Sequence, residues 1–366
     1  MLRIISTIDA SKYLDLLYIY LKFIIFTNSI LFCMTNFANA NETIPTINDS
    51  DKYFSRTTHG IWKFEYGYQR EFLRGVLHGK NNVDSVSVLQ NTDYHKLPYP
   101  GSHDCSTEAD PCLLSNIGKS MFMDKHMFTV TYRQSSELSW AVKLNYVSNS
   151  VDMYERLSNN FPTSQYSFGT SGIGDMQLLM TNRLTRTNRT DVNLTLGVNL
   201  PLGSIDETDG INDMSGNEGI APYNMQLGSG TYDIITQLAF AGFYYGLDYG
   251  FNIYRITRTG LNPQYYNLGD NLKITGWAHY TYSFGTQLRM GLIQNVSSPI
   301  EGRDERVSDN TRYSGGKRFD VLFGLGQKIG SFGIYVDYAY PVLQYVNGVQ
   351  MKTTGIVSGK IEYTFL

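Results

Sequence analysis

The chain has 366 residues, a formal net charge of −3 and 17% charged residues, so it lacks the basic surplus needed to grip nucleic acid. Aromatic residues make up 14%, with 28 Tyr and 19 Phe beside 34 Gly and only 3 Cys. This balance favours strands, turns and interfacial aromatic rings, and it excludes a nucleic-acid partner.

The N-terminal segment has the features of an export signal. An apolar run at 23–37 follows Lys22, and Ala38, Asn39 and Ala40 supply the small-x-small pattern of a signal-peptidase site. We predict a cleaved signal peptide at 1–40, an N-terminal periplasmic extension at 41–60 and a barrel at 61–366. Asp9 and Asp15 in a long leading region leave a retained anchor or a mis-assigned start codon as alternatives.

Apolar and polar residues alternate with a period of two in segments of about ten residues, as in a strand with one lipid face and one lumen face. At 191–200 every second residue is Val or Leu, while Asn, Thr and Gly fall between them. The same alternation recurs at 62–69, 138–146, 245–253, 319–325 and 334–340. Beyond Ala40 the sequence has no apolar run of about 18 residues, which argues against helical spans.

Strand length and connections favour a membrane barrel over a soluble sandwich. Strands of about eleven residues, tilted by about 45°, span about 25 Å, the height of a barrel's apolar band. Tight turns are predicted at 134–137, 186–190, 242–243, 283 and 329–331. Long loops are predicted at 77–120, 148–171, 201–231, 257–271 and 296–317, with a shorter one at 341–353.

These patterns predict an all-β fold, a transmembrane antiparallel β-barrel of about twelve strands with short periplasmic turns and long extracellular loops. The last strand, with Ile361, Tyr363 and Phe365 on one face, resembles the C-terminal signal of outer-membrane barrels. Two places break the alternation: Asn182 lies between apolar residues, and Trp277 is out of phase with its neighbours. A bulge or register shift is expected near either.

Charged residues of both signs fall on the predicted inner face in nearly equal numbers. Two interpretations stay open: the charges pair across strands and hold the wall together, or they form a constriction that sorts solutes by charge. The near balance favours small, weakly charged or partly apolar solutes. The inward residues are Lys63, Glu65, Arg133, Lys143, Arg183, Asp233, Asp248, Lys273, Arg289, Asp320, Asp337, Lys360 and Glu362.

Three glycine-rich segments carry a resemblance to a known family: 172–178 (GIGDMQL), 196–203 (LGVNLPLG) and 227–233 (LGSGTYD). They resemble the outer-membrane transporters of the phenol-degradation MetA-pathway type, over roughly residues 172–366. The resemblance implies a barrel associated with uptake of aromatic or hydrophobic compounds. Leu202 departs from the threonine expected after the proline.

The predicted strand order places Asp175, Asn199 and Asp233 inward near the extracellular rim. In a structural role, the two carboxylates accept hydrogen bonds from backbone amides that open loops leave unpaired. Contact with a solute or binding of an ion is the alternative role. The sequence does not decide between them.

Cys105 and Cys112 lie in a polar stretch of a chain predicted to be exported. An oxidising compartment favours a disulfide between them, and closing that loop would contribute on the order of 2 kcal/mol. The segment 103–112 also holds His, Asp and Glu, so a transition-metal site is the alternative. We predict the disulfide, with no metal and no cofactor.

The predicted function is an outer-membrane channel or transporter for small, weakly charged or hydrophobic and aromatic solutes. Its expected partners are outer-membrane lipid, a small solute and the outer-membrane assembly machinery. One alternative is a barrel-anchored adhesin or receptor acting through its outer loops, with 77–120 the longest. A second is an outer-membrane hydrolase, but neither His126 nor His279 has an adjacent nucleophile pattern, and no enzyme is predicted.

Overall fold

The computed structural model describes residues 60–90, 116–156, 163–187, 189–212, 218–307 and 311–365. The predicted signal peptide at 1–40, nearly all of the extension at 41–60, and Cys105 and Cys112 lie outside these residues. Cleavage and the disulfide therefore remain predictions.

Twelve long antiparallel strands form one sheet, and the last strand pairs with the first, so the sheet closes into a barrel. Trp62 of the first strand lies opposite Phe365 of the last. The structure thus confirms the predicted transmembrane β-barrel. The strands are β1 Ile61–His78, β2 Asn116–Arg133, β3 Leu138–Arg156, β4 Thr163–Arg186, β5 Thr190–Leu200, β6 Asp233–Tyr244, β7 Leu247–Arg258, β8 Asn271–Thr281, β9 Thr286–Ser297, β10 Gly316–Ile329, β11 Phe332–Val346 and β12 Val349–Phe365.

Short elements occur in the connections between the long strands. Asn81–Val83 extends the sheet beside β1, Thr208–Asn212 pairs with Glu218–Ile220, and Tyr266–Asn267 pairs with Glu301–Gly302. Within the described residues, no helix has both the length and the hydropathy needed to cross a membrane. The helical elements are Ser85–Gln90, Tyr223–Met225 and Thr311–Tyr313.

The wall has an apolar outer face and a polar inner face, as strand geometry requires. In β11, Val336 and Tyr338 are 54% and 43% exposed, whereas Asp337 and Ala339, which alternate with them, are buried. Aromatic pairs ring the outer face where turns join the strands, as between Trp62 and Tyr132, whose rings are 4.7 Å apart. Charged side chains such as Asp337 in the apolar band therefore face the lumen.

The connections alternate in length, and we name the two ends of the barrel after them. The turn end carries the tight connections 134–137, 187–189, 245–246, 282–285 and 330–331, and the loop end carries the others. The predicted turn at 242–243 is wrong because β6 continues to Tyr244. The chain instead reverses at Tyr245 and Gly246, with φ of 44° and 83°, the left-handed pair that a two-residue hairpin turn uses.

At the loop end, strands replace parts of the predicted loops. Pairing of β3 with β4 continues to Arg156 opposite Thr163, and β11 and β12 are separated by only Asn347 and Gly348. Backbone hydrogen bonds to a neighbouring strand hold each of these extensions in the sheet. Their outer side chains include polar residues such as Ser150 and Asp152 beyond the apolar band, so the alternation that marks a membrane strand fades there.

One of the two expected irregularities is present. The β4–β5 register shifts between Arg183 and Thr185, next to Asn182. Around Trp277 the register of β8 with both neighbours is continuous, so no bulge forms there. Trp277 is out of phase because its indole faces the lumen.

The hairpin β11–β12 is open toward the loop end. Its ladder runs from Phe332 opposite Tyr363 to Ala339 opposite Ile356 and then stops. Beyond that point β11 pairs only with β10, and β12 only with β1. We call the facing segments 340–346 and 349–355 the seam.

The side chain of Gln344 bridges the seam. Its Nε2 donates to the Thr353 carbonyl at 2.7 Å, and its Oε1 accepts from the Thr353 amide at 3.1 Å. A side-chain amide thus replaces one rung of the missing backbone ladder.

Candidate functional site

The inward charges form pairs close to the turn end, in a group that we call the ionic layer. Its members are Lys63, Glu65, Arg289, Asp337, Lys360 and Glu362, three cations and three anions. Nitrogen–oxygen distances are 3.0 Å for Lys63–Glu65, 3.0 Å for Lys360–Glu362 and 3.0 Å for Arg289–Asp337.

Tyr335 lies at the centre of this layer. Its hydroxyl donates to Glu362 at 2.9 Å, while Arg289 and Lys360 lie over its ring at 4.7 Å and 4.5 Å from the centroid. All of these side chains except that of Glu65 are buried. Arg289 and Asp337 therefore belong to a paired, charge-balanced group.

An apolar belt lies on the loop side of the ionic layer. Five consecutive strands, β8 to β12, contribute Trp277, Ile293, Leu322, Ala339 and Ile356, which pack into one buried cluster. The position of the belt along the barrel axis follows from β12. On that strand Ile356 lies between Lys360, on the turn side, and Thr353, on the loop side.

Trp277 fits into the belt because the residue beside it on β7 is glycine. A Cβ at Gly250 would lie 2.7 Å from the indole ring. On its other side the indole stacks on His279, whose Nε2 is 2.9 Å from Asp248. Asp248 thus faces the lumen as predicted, paired with a histidine.

A second ion cluster lies above the belt. Arg318 contacts Glu71 at 2.6 Å and Asp320 at 3.1 Å, and it donates to Thr353 Oγ1 at 2.9 Å. Two further predicted residues, Arg183 and Lys143, lie apart from these groups. Arg183 pairs with Asp191 at 2.9 Å near the turn end, and Lys143 is half-buried on the inner wall of β3.

A cavity of about 480 Å³ occupies the loop half of the lumen, with Arg318 and Glu71 among the residues that line it. Its lining includes an apolar patch formed by Met121 and Met123 of β2, Val151 and Met153 of β3 and Met351 of β12, beside polar residues of the same strands. Its size is within the range of small-molecule sites in proteins.

The described part of the connection between β5 and β6, residues 201–212 and 218–232, folds back toward this cavity. Ala221 and Met225 of the connection are fully buried against Met121, Val151 and Met153 of the wall. We call these five residues the methionine cluster. The Met225 carbonyl also accepts a hydrogen bond from Thr170 Oγ1 at 2.6 Å.

Asp175 anchors the same connection to the wall, and a bulge presents it. Leu144 pairs with Met176 and Tyr146 with Ile173, so Gly174 and Asp175 both lie opposite Asn145. Asn145 Nδ2 donates to the carbonyl of Asp175 at 3.0 Å. The bulge turns the carboxylate toward the connection, a known use of such irregularities.

The Asp175 carboxylate then accepts three hydrogen bonds from the connection. Oδ1 accepts from the Gly203 amide at 3.1 Å, and Oδ2 accepts from the Ser229 amide at 2.9 Å and the Ser229 hydroxyl at 2.7 Å. Gly203 and Gly228 pack backbone to backbone, where a Cβ on either would clash.

Asn199 joins the two predicted carboxylates. Its Nδ2 donates to Asp175 at 2.8 Å and to Asp233 at 3.0 Å. Asp233 also accepts from Thr231 Oγ1 at 2.6 Å and forms a short ion pair with Arg258. The structure brings the three predicted rim residues together, and we call Asp175, Asn199, Ser229, Asp233 and Arg258 the latch.

Known proteins were compared with the sequence and the fold. No protein-family model and no curated protein matches the sequence. Among solved structures, an outer membrane channel from Pseudomonas putida F1 aligns with a TM-score of 0.55 at 11% identity, covering 88% of this chain and 100% of that chain. The barrel has the fold of an outer-membrane channel. The resemblance seen in the glycine-rich segments agrees with this at the level of the fold.

Two other structures align less well. The Ralstonia pickettii toluene transporter TbuX gives a TM-score of 0.41 at 11% identity, over 84% of this chain and 90% of that one. A Pseudomonas aeruginosa FadL homologue gives 0.39 at 9% identity, over 83% and 90%.

Three connections at the loop end pack together into a cap. Tyr223, Tyr266 and Val307 form its buried apolar centre, with the rings of Tyr223 and Tyr266 4.6 Å apart. An ion cluster ties two of the connections: Arg306 contacts Asp206 at 2.6 Å and Asp304 at 2.8 Å.

Burial alone would raise the pKa of Asp304, but hydrogen bonds from the side chain and backbone of Arg306 outweigh it and hold the pKa below its ordinary value. The two aspartates in turn raise the pKa of Arg306. Both members of this pair are therefore charged at neutral pH.

Several functional residues were missed by the sequence interpretation. Arg258 and Met225 both lie in segments predicted as loops, although Arg258 continues the alternation of β7 that places Asp248 inward. Two inward carboxylates, Asp175 and Asp233, need a nearby cation, and this need could have indicated Arg258. Among the described residues, no group of three or more His, Cys, Asp or Glu side chains is placed to hold a metal ion.

Proposed function

We propose that the chain is an outer-membrane channel for small, weakly charged apolar or aromatic solutes. It would be exported through its N-terminal signal, inserted by the outer-membrane assembly machinery, and oriented with the loop end outward. The channel-like fold, the alternation of lipid and lumen faces, and the implied uptake of aromatic compounds by the resembling family support this.

The observation that carries the proposal is the cavity of about 480 Å³ behind the cap, in which a patch of methionine and valine lies beside amides, hydroxyls and charged groups. A site for a bare ion would not need such an apolar patch. An apolar wall with a few polar groups is typical of a site for a small organic molecule.

The cap and the latch lie on the loop side of this cavity, and the belt and the ionic layer lie on its turn side. We therefore expect passage to involve movement of the connection 201–232 on one side and of inward side chains on the other. Because the ionic layer is charge-balanced, it offers no net field that would draw a charged solute.

The experiment compares the initial uptake of two radiolabelled solutes, 4-methylphenol and benzoate, by bacterial cells with and without the chain in the outer membrane. We expect 4-methylphenol uptake to increase several-fold and benzoate uptake to change little. Glu305→Gln, an exposed change in the cap region, serves as the control for expression and charge. Uptake of 4-methylphenol no faster than in cells lacking the chain would reject the channel.

A further inference from the structure

The methionine cluster combines wall residues with residues that arrive from a connection. Met121, Val151 and Met153 belong to β2 and β3, whereas Ala221 and Met225 belong to 201–232. Met225 is 1% exposed, so it occupies an apolar position that the wall would otherwise present to the cavity.

Methionine is suited to this kind of occupancy. Its unbranched, polarisable side chain fills irregular apolar spaces, and thioether sulfurs contact aromatic rings favourably. A ring in place of the Met225 side chain would lie against Met121 and Met153, and Met123 and Met351 border the same cavity.

Two buried acceptors lie on β3, the strand that also carries Val151 and Met153. Asn145 and Asn149 line the cavity and are 4% and 2% exposed. Each uses its Nδ2 as a donor, to the Asp175 carbonyl and to Thr170 Oγ1 respectively. Among the described residues, neither Oδ1 has a hydrogen-bond partner.

Asn149 is connected to Met225 through the side chain of Thr170. Its amide lies 3.5 Å from Thr170 Oγ1, which in turn donates to the Met225 carbonyl. An unpaired acceptor thus lies two hydrogen bonds from the apolar position. A buried acceptor without a donor is costly, and a ligand that supplies the donor recovers that cost.

We propose that the Met225 position is a binding site for a small aromatic molecule with one hydroxyl or N–H donor. The ring displaces the Met225 side chain from the methionine cluster, and the donor bonds to Asn149 Oδ1. Displacing Met225 frees one of the contacts that hold 201–232 in the lumen. This inference rests on the proposed channel and specifies the solute that it recognises.

The test uses the full chain in detergent micelles with methionine labelled by ¹³C at its methyl group. 4-Methylphenol and toluene, which differ by one hydroxyl, are titrated separately, and Met121, Met153 and Met225 are assigned by Met→Leu changes. Met290 on the lipid face is the internal control, since it reports partition into the micelle.

We expect saturable shifts at the three cluster methyls and no saturable shift at Met290. 4-Methylphenol should bind about fivefold more tightly than toluene, the ratio expected for one hydrogen bond of about 1 kcal/mol. Asn149→Ala should remove that preference. Met225→Ala should tighten toluene binding about tenfold because no side chain must leave, while Met290→Ala should leave it unchanged.

Non-saturable shifts shared by Met290, equal affinity for the two ligands, or weaker binding by Met225→Ala would each overturn the site. Far-UV circular dichroism checks that every variant is folded, and the comparison of two ligands on the unmodified chain needs no variant. Saturable binding without cellular uptake would reject the channel and keep the site. Uptake without saturable binding would reject the site and keep the channel.

Discussion

Asp175 is the residue on which the position of 201–232 depends most. Its two oxygens accept three hydrogen bonds from Gly203 and Ser229, and an amide in its place offers one acceptor and a misplaced donor. Asp175→Asn should weaken the latch by about 1–3 kcal/mol.

We expect this variant to exchange the Gly203 and Ser229 amide hydrogens at least tenfold faster and to admit 4-methylphenol several-fold faster. Hydrogen exchange and the cellular uptake assay measure the two effects. Glu305→Gln removes the same charge at the loop end without touching the latch, and it should change neither. Unchanged exchange in Asp175→Asn would show that the latch does not hold the connection.

Gly250 and Gly276 make a matched pair on neighbouring strands. A Cβ at Gly250 would meet the Phe240 carbonyl and the Trp277 ring, whereas a Cβ at Gly276 would have nothing within 4 Å. Gly250→Ala should therefore destabilise the barrel by about 1–3 kcal/mol, and Gly276→Ala should not. Urea unfolding followed by tryptophan fluorescence compares them, and equal midpoints would contradict the tight contact with Trp277.

At the scale of the strands, the sequence predicts well which segments form the barrel wall. It predicts poorly which residues fill the lumen. Alternation identifies β5 or β11 because lipid demands an apolar residue at every second position. The same alternation placed Asp175, Asn199 and Asp233 inward, and their strands proved adjacent. Met225 obeys no period, since its position follows from how 201–232 folds back. Arg258 keeps the alternation of β7, but the loop predicted at 257–271 leaves it outside the strand. Trp277 is out of phase with the alternation because it is an apolar residue on an inner face that is otherwise mostly polar.

The seam between β11 and β12 depends on one side chain. Gln344→Ala removes both hydrogen bonds to Thr353, and no backbone ladder remains there to replace them. We expect the Thr353 amide to exchange ten- to a hundredfold faster, by hydrogen-exchange NMR. Ser358, within the paired part of the same strand, should keep its rate, and a parallel increase at Ser358 would indicate general destabilisation instead.

For the whole molecule, the lumen contains four groups of side chains in order from the loop end to the turn end: cap, latch, belt and ionic layer. Backbone ladders hold the wall, with a gap at the seam, whereas side chains hold the four groups. Opening of the lumen can therefore proceed without unfolding of the barrel. The layer most accessible to solvent is the cap, so conditions in the surrounding medium should act on it first.

The cap should respond to acid through Asp304. The pKa of Asp304 is lowered in the folded state, so the stability it contributes is present above its ordinary value of 3.8 and is lost as pH falls through the lower folded pKa. We expect the Val307 and Tyr223 amides to be protected equally at pH 7 and 5 and to lose protection only below about pH 3.8.

Asp304→Asn should give the low-pH exchange rates already at pH 7, because the amide cannot hold the charged pair with Arg306. Glu305→Gln, beside it and exposed, should keep the wild-type pH profile. Exchange measured by mass spectrometry after correction for the intrinsic pH dependence compares the three proteins. Loss of protection between pH 7 and 5 in the wild-type chain would mean that another group controls the cap, since an aspartate with a lowered pKa remains ionised throughout that range.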